Sequence, residues 1–183
     1  KTDSHISQEI YKDNMMSDDG RIALFISHAT PEDNAFVLWL GTRLSMAGYE
    51  VWADVLRLRG GHDWQQRLED ALRNKTVKTL LVGTAKGVQK RGVRNEIQIA
   101  TDTARKIGDE NFVIPLRLEP FDAPFLIVHA QYIDFRHRWG AGLAELLETL
   151  ETEYRVPKET GPNADSIERW KGAYQHQAHF QRG

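Results

Sequence analysis

The chain has no cysteine among its 183 residues. Disulfide staples and thiolate metal centres are therefore excluded, and the fold must hold by packing alone. No apolar run approaches the ~20 residues that cross a bilayer, and the first residues show no signal-type hydrophobic segment. An excess of either charge is also missing: 24 Lys and Arg against 26 Asp and Glu leave a net charge of −2. That removes any bulk electrostatic case for binding nucleic acid or a membrane surface. What remains is an ordinary globular composition, with 40% hydrophobic and 27% charged residues, long enough for one well-cored domain with tails. A soluble, cytoplasmic protein is expected.

Residues 1–21 are polar, contain Met15 and Met16, and read as a disordered or added tail ahead of the domain. From residue 22 apolar runs alternate with helical periodicity. Strands are expected over 22–27, 49–54, 77–83, 112–116 and 130–135. The first helix carries Phe36, Val37, Leu40, Leu44 and Ala47 and stops at Gly48; the second carries Trp64, Leu68, Ala71 and Leu72. The third carries Val93, Ile97, Ala100, Ala104 and Ile107, and the last Trp139, Leu143, Leu146, Leu147, Leu150 and Tyr154. Each set makes one apolar stripe. Strand–helix alternation predicts an α/β, flavodoxin-like fold: a five-stranded parallel sheet in the order 2-1-3-4-5, helices on both faces, right-handed crossovers. Residues 119–129, with two prolines, read as loop or a short irregular helix. Residues 156–165 read as a linker, and 166–183 as the start of a further region.

In such a sheet ligands bind at the carboxyl ends of the strands. The first strand ends in Ser27 and His28, and a helix start follows: Thr30 as N-cap, Pro31 as first helical residue, Glu32 and Asp33 in the first turn. The loop there lacks the G-x-G-x-x-G of dinucleotide binders. It also lacks the acidic residues of a receiver domain and the hydroxyl-rich phosphate loop of flavodoxins. Residues 83–87 have the wrong spacing for a Walker loop and read as a plain turn. His176 and His179 could share a helical face, but nothing near them in sequence completes a metal site, and none is expected.

A different constellation stands out. Phe25, Ile26, Ser27 and His28 close the first strand; Gly48, Tyr49, Glu50, Val51, Trp52, Ala53 and Asp54 span the second. A glycine-ended loop then runs into Asp63 and Trp64, and Gly92 to Glu96 open the third helix. This set, in this order, resembles the Toll/interleukin receptor (TIR) domain family, over residues 22 to about 155. The resemblance implies the parallel fold derived above. It also implies hydrolysis of NAD+ at the nicotinamide–ribose bond, since many TIR domains do this with one glutamate on the third helix, while others only assemble.

Glu96 matches that glutamate. On helical geometry it lies about 60° from the centre of its apolar stripe, at the shoulder between core and solvent. Gly92, one turn earlier, leaves room beside it; many relatives carry tryptophan there. Ser27 and His28 either contact substrate or cap their loop, and Asp54 faces the same edge. Trp64 either lines the pocket or anchors its helix. Arg57 and Arg59, in the loop after the second strand, either meet phosphates or a neighbouring subunit, or face solvent. Trp52 reads as core. NAD+ is then substrate, and no cofactor or metal is implied.

Within the family, these segments look most like the TIR half of TIR–APAZ proteins, which pair with short prokaryotic Argonautes in bacterial defence. That resemblance implies self-association of TIR domains, an Argonaute partner reached through a region beyond residue 156, and no direct contact of residues 1–183 with nucleic acid. Two other readings stay open: a non-catalytic TIR–TIR interaction module, and a sensor of an NAD-derived nucleotide.

Overall fold

A computed structural model describes residues 20–56 and 62–180. The strands β1 (Ala23–Ser27), β2 (Glu50–Ala53), β3 (Thr76–Gly83), β4 (Val113–Arg117) and β5 (Ile133–Asp134) form one parallel sheet. Their order is β2-β1-β3-β4-β5, as expected. Helices α1 (Asn34–Met46), α2 (His62–Asp70), α3 (Arg91–Ile107), α4 (Trp139–Glu148) and α5 (Ala164–Phe180) follow in chain order. α2 continues into a π-helical segment, Ala71–Lys75, and α4 into another, Thr149–Glu153. Among the described residues no helix is long and apolar enough to cross a membrane.

β1 is central, and all five of its residues are buried. A strand flanked by two others and covered on both faces must be apolar throughout, which is why Ala23 to Ile26 show no alternation. Its register pairs Phe25 with Trp52 and Ile26 with Ala53. Side chains alternate along a strand, so Phe25, Ser27 and Trp52 share one face. α2 covers it through Trp64, whose ring stacks on Trp52 at 6.0 Å, and α3 through Glu96, which Ser27 meets. On the other face an aromatic cluster joins α1 to the start of α4: Phe36 meets Phe135 at 5.2 Å and Trp139 at 5.0 Å. Trp139, expected in the apolar stripe of α4, is 41% exposed, because it caps this cluster at the surface beside Trp39.

Three boundaries differ from the sequence reading. Arg21 belongs with the fold and not with a tail: it is buried, and its guanidinium donates to the Thr76 carbonyl at 3.0 Å. α1 starts at Asn34, not Pro31, with Asp33 in the N-cap position. Residues 30–33 form a turn closed by the Asp33 N–H on the Ala29 carbonyl and the Asn34 N–H on the Pro31 carbonyl. The Thr30 hydroxyl faces His28 and caps nothing.

The third difference is the largest. Residues 156–175, read as linker and beginning of another region, pack onto this domain. Val156, Trp170 and Ala173 join the same hydrophobic core. β2 is an edge strand, and the Val51 N–H and C=O it leaves unpaired are taken by the Ser166 hydroxyl (3.1 Å) and the Trp170 indole N–H (3.2 Å). The Trp170 ring lies on Gly41 of α1, where any Cβ would sit 2.3 Å from it. Gly48 ends α1 at φ +104°, and a Cβ there would meet the Glu159 carbonyl oxygen at 2.4 Å, so glycine is required twice over. The composition of 156–165 is polar because it runs along the surface, not because it leaves the domain.

Trp170→Ala should therefore cost about 3–5 kcal/mol of folding stability, read as a lower urea midpoint. An unchanged midpoint would mean that α5 is not part of the cooperative unit.

Candidate active site

The sheet's carboxyl edge gathers four of the residues singled out above. Ser27 ends β1, and Asp54 follows Ala53 one step beyond the Ile26–Ala53 pair, so the two sit side by side on the α2–α3 face. Glu96 comes to them from the second turn of α3, and the Ser27 hydroxyl donates to its Oε2 in a very short bond. His28 follows Ser27. Its Nε2 lies 3.1 Å from Asn34 Oδ1 and 3.3 Å from the Thr30 hydroxyl, while its buried Nδ1 has no hydrogen-bond partner.

The electrostatics follow from burial. Desolvation pushes the Glu96 carboxyl up to about 8; the Ser27 bond opposes this, and the negative charge of Asp54 adds to it. Glu96 as a whole keeps some exposure, so burial falls on its carboxyl end. Burial also lowers the His28 imidazole, outweighing its bond to Asn34 and the charge of Asp54, so it rests neutral at pH 7. Gly92, one turn before Glu96, is exposed, and a Cβ there would meet nothing within 4 Å. A protonated carboxyl, a neutral imidazole and a second carboxyl thus gather at the sheet edge, with open space at Gly92 one turn before Glu96. Groups shifted by burial and a neighbouring charge make this edge the candidate functional site.

The other candidates divide. Trp64 is buried against Trp52, so its ring anchors α2 to the sheet; Trp52 is core, as expected. Arg57 and Arg59 lie outside the described residues, as do the side chains of His176 and His179. A cavity of about 560 Å³ lies elsewhere, between the end of α3 and the segment after β4, bordered by Arg105, Asp109, Leu126 and His129. It holds none of the candidate residues, and chemistry rather than volume picks out the Glu96 edge.

Sequence reasoning missed the residues that hold this edge together. Asn34 fixes His28. Thr84, after β3, donates to Asp33 Oδ2 at 3.3 Å and accepts from the Gly87 N–H at 3.0 Å. Lys90 binds the Thr30 carbonyl at 2.9 Å and Glu32 at 2.6 Å, which ties the start of α3 to the turn after β1. Their position at strand ends was the available signal; their partners, 51 and 60 residues away, had none.

A neutral isostere tests the burial of Glu96. Its folded value lies above its ordinary 4.5, so ionisation weakens the fold progressively as pH rises from about 4.5 to about 8. Glu96→Gln should stabilise the protein by roughly 2–4 kcal/mol at pH 8 and leave it nearly unchanged at pH 4, as read from urea midpoints. Equal effects at both pH values would contradict a buried carboxyl.

Comparison with known proteins agrees with this fold. A family model described as the TIR domain matches residues 24–147. Uncharacterized protein y4cD of Sinorhizobium fredii is 38% identical over 133 residues, 73% of this chain and 21% of that protein. The 2′ cyclic ADP-D-ribose synthase AbTIR of Acinetobacter baumannii is 32% identical over 83 residues, 45% of this chain and 30% of that protein. The chain thus spans less than a third of either relative's length. The TIR domain of the Toll-related receptor TRR-2 from Hydra magnipapillata superposes with a TM-score of 0.56 at 20% identity. It covers 72% of this chain and 99% of that structure, and it supports the fold. With sheet order, matched span and bacterial relatives in agreement, the chain belongs to the TIR domain family.

Proposed function

We propose that this TIR domain cleaves NAD+ at the nicotinamide–ribose bond, with Glu96 as the catalytic carboxylate. The observation that carries the reading is the placement of Glu96: a carboxyl buried at the ligand edge of the sheet, raised to about 8, beside the open space at Gly92. The relative named as a cyclic ADP-ribose synthase supports the same class of chemistry.

The chemistry asks little of the protein beyond one well-placed negative charge. Loss of nicotinamide passes through an oxocarbenium-like state, as in glycoside hydrolysis. The leaving group is already a pyridinium cation, so it departs neutral without a general acid. An ionised Glu96 steadies the positive charge that develops on the ribose and accepts hydrogen bonds from its hydroxyls. The substrate's own positive charge favours that ionised form. Attack by water yields ADP-ribose; attack by a group of the same molecule closes a ring. His28, neutral with Nδ1 unpartnered, borders the same edge and offers a ribose or phosphate contact.

Self-association of TIR domains, a cytoplasmic setting, and an effector role beside a short Argonaute in bacterial defence belong to the same proposal. They rest on the resemblance of the segments around Ser27, Trp52 and Glu96 to TIR–APAZ proteins. The docking-module reading is favoured by a separate observation: Phe125 is 89% exposed and Val128 51%, a bare apolar surface on the turn after β4.

Nicotinamide release from NAD+ at high protein concentration tests the proposal. Glu96→Ala and Glu96→Gln should lose about 10²–10³-fold in kcat while keeping wild-type circular dichroism. Wild-type kcat/KM should rise with pH through about 8, because the active form of Glu96 is the carboxylate. Activity that survives both substitutions would remove Glu96 from the mechanism, and silence of the full-length protein with its partner would favour the docking module.

A further inference from the structure

We propose that Ser27 is a positioning residue for Glu96 and not a substrate contact: its hydroxyl holds the glutamate carboxyl against the end of β1 and favours the ionised form. The inference rests on Glu96 acting as the catalytic carboxylate.

Three observations carry it. Ser27 has no exposed surface, so its hydroxyl is closed to a ligand arriving from solvent. A serine hydroxyl has one proton, and this one is committed to Glu96 Oε2. Among the described residues, no other hydrogen bond to the Glu96 carboxyl competes with it. A donor aimed at a buried carboxyl stabilises the charged state against desolvation. The remaining groups around Glu96 do not replace that donor. Asp54, at the end of β2, is a like charge, and His28 beyond β1 is neutral. On α3 itself the residues one turn away on either side, Gly92, Val93, Ile99 and Ala100, carry no charge. The elements packed against α3 are β1, β4 and the segments Ala71–Lys75, Gly87–Gln89 and Phe125–Ile127. Their charged groups are Arg73 and Lys75, engaged with Glu69 and Asp70, and Arg117, which lies over the Tyr132 ring at 3.8 Å. Ser27 is thus the one described group that pulls Glu96 toward the form catalysis uses.

The experiment titrates Glu96 directly in the whole protein. The carboxyl carbon of ¹³C-labelled glutamate is followed by NMR against pH, with the Glu96 signal assigned by its loss in Glu96→Gln. Wild type, Ser27→Ala and Ser27→Thr are compared, and pH profiles of nicotinamide release are recorded in parallel. In Ser27→Ala the midpoint should move alkaline by about one pH unit. Its kcat at pH 7 should fall about tenfold and recover above pH 9, with KM little changed. Ser27→Thr, which keeps the hydroxyl, should titrate as wild type. An unmoved midpoint in Ser27→Ala overturns the proposal. So does a raised KM with an unchanged pH profile, which is the signature of a substrate contact. If the wild type releases no nicotinamide, the NAD+ reading fails, while the NMR midpoint still decides whether Ser27 controls Glu96.

Discussion

A strand buried on every side cannot end in polar side chains unless something receives them, and that constraint organises this domain. β1 is enclosed by β2 and β3 and covered on both faces, and it terminates in Ser27 and His28 with almost no exposed surface. Unpaired, each polar group would carry a desolvation penalty of about 1–3 kcal/mol. The structure meets the demand with Glu96 from α3 for the serine, and with Asn34 from the start of α1 for the histidine. Satisfying β1 therefore draws α3 and α1 to the same point. The chemistry of the edge is a consequence of closing the sheet's centre.

The satisfaction is incomplete. Glu96 is given one donor, one like-charged neighbour and little solvent, and His28 keeps a buried ring nitrogen without a partner. Residual frustration of this kind is expected where a site must interact with something outside the chain. The surrounding turns show no such tension. Lys90 with Glu32, and Thr84 with Asp33, tie the turn after β1 to the segment between β3 and α3, beside the unsettled carboxyl.

Aromatic packing supplies the rest of the scaffold without disulfides. Trp52 and Trp64 join α2 to β2, Phe36, Phe135 and Trp139 join α1 to α4, and Trp170 fixes α5 onto Gly41. Trp170 has a second task, because its indole and the Ser166 hydroxyl complete the hydrogen bonding of Val51 on the edge strand. An open β2 edge would be a template for pairing with another chain. α5 covers that edge, while Phe125 and Val128 on the turn after β4 stay exposed.

Much of this was legible from sequence because it is written in local periodicity. Five apolar runs separated by single-striped helices specify a parallel sheet whatever the tertiary details, and Glu96 fell at the shoulder of its stripe by helical geometry alone. Residues whose role depends on a distant partner were not legible. Polar composition at 156–165 looked like a linker, since nothing local marks a segment that returns to cap a strand more than a hundred residues earlier. Trp64 is equally fit by sequence for a pocket or an anchor, and its stacking on Trp52 is a contact that no local spacing encodes. The sequence by itself determined the order of elements and the sheet, because these follow from hydrophobic spacing and short-range turn chemistry. Helical geometry put Glu96 at the shoulder of its stripe, and resemblance to the TIR family singled it out. Only the tertiary structure decided that Ser27 bonds Glu96 and that α5 caps the β2 edge. Hydrogen bonds and desolvation act between atoms brought together by the fold, and no spacing along the chain encodes them.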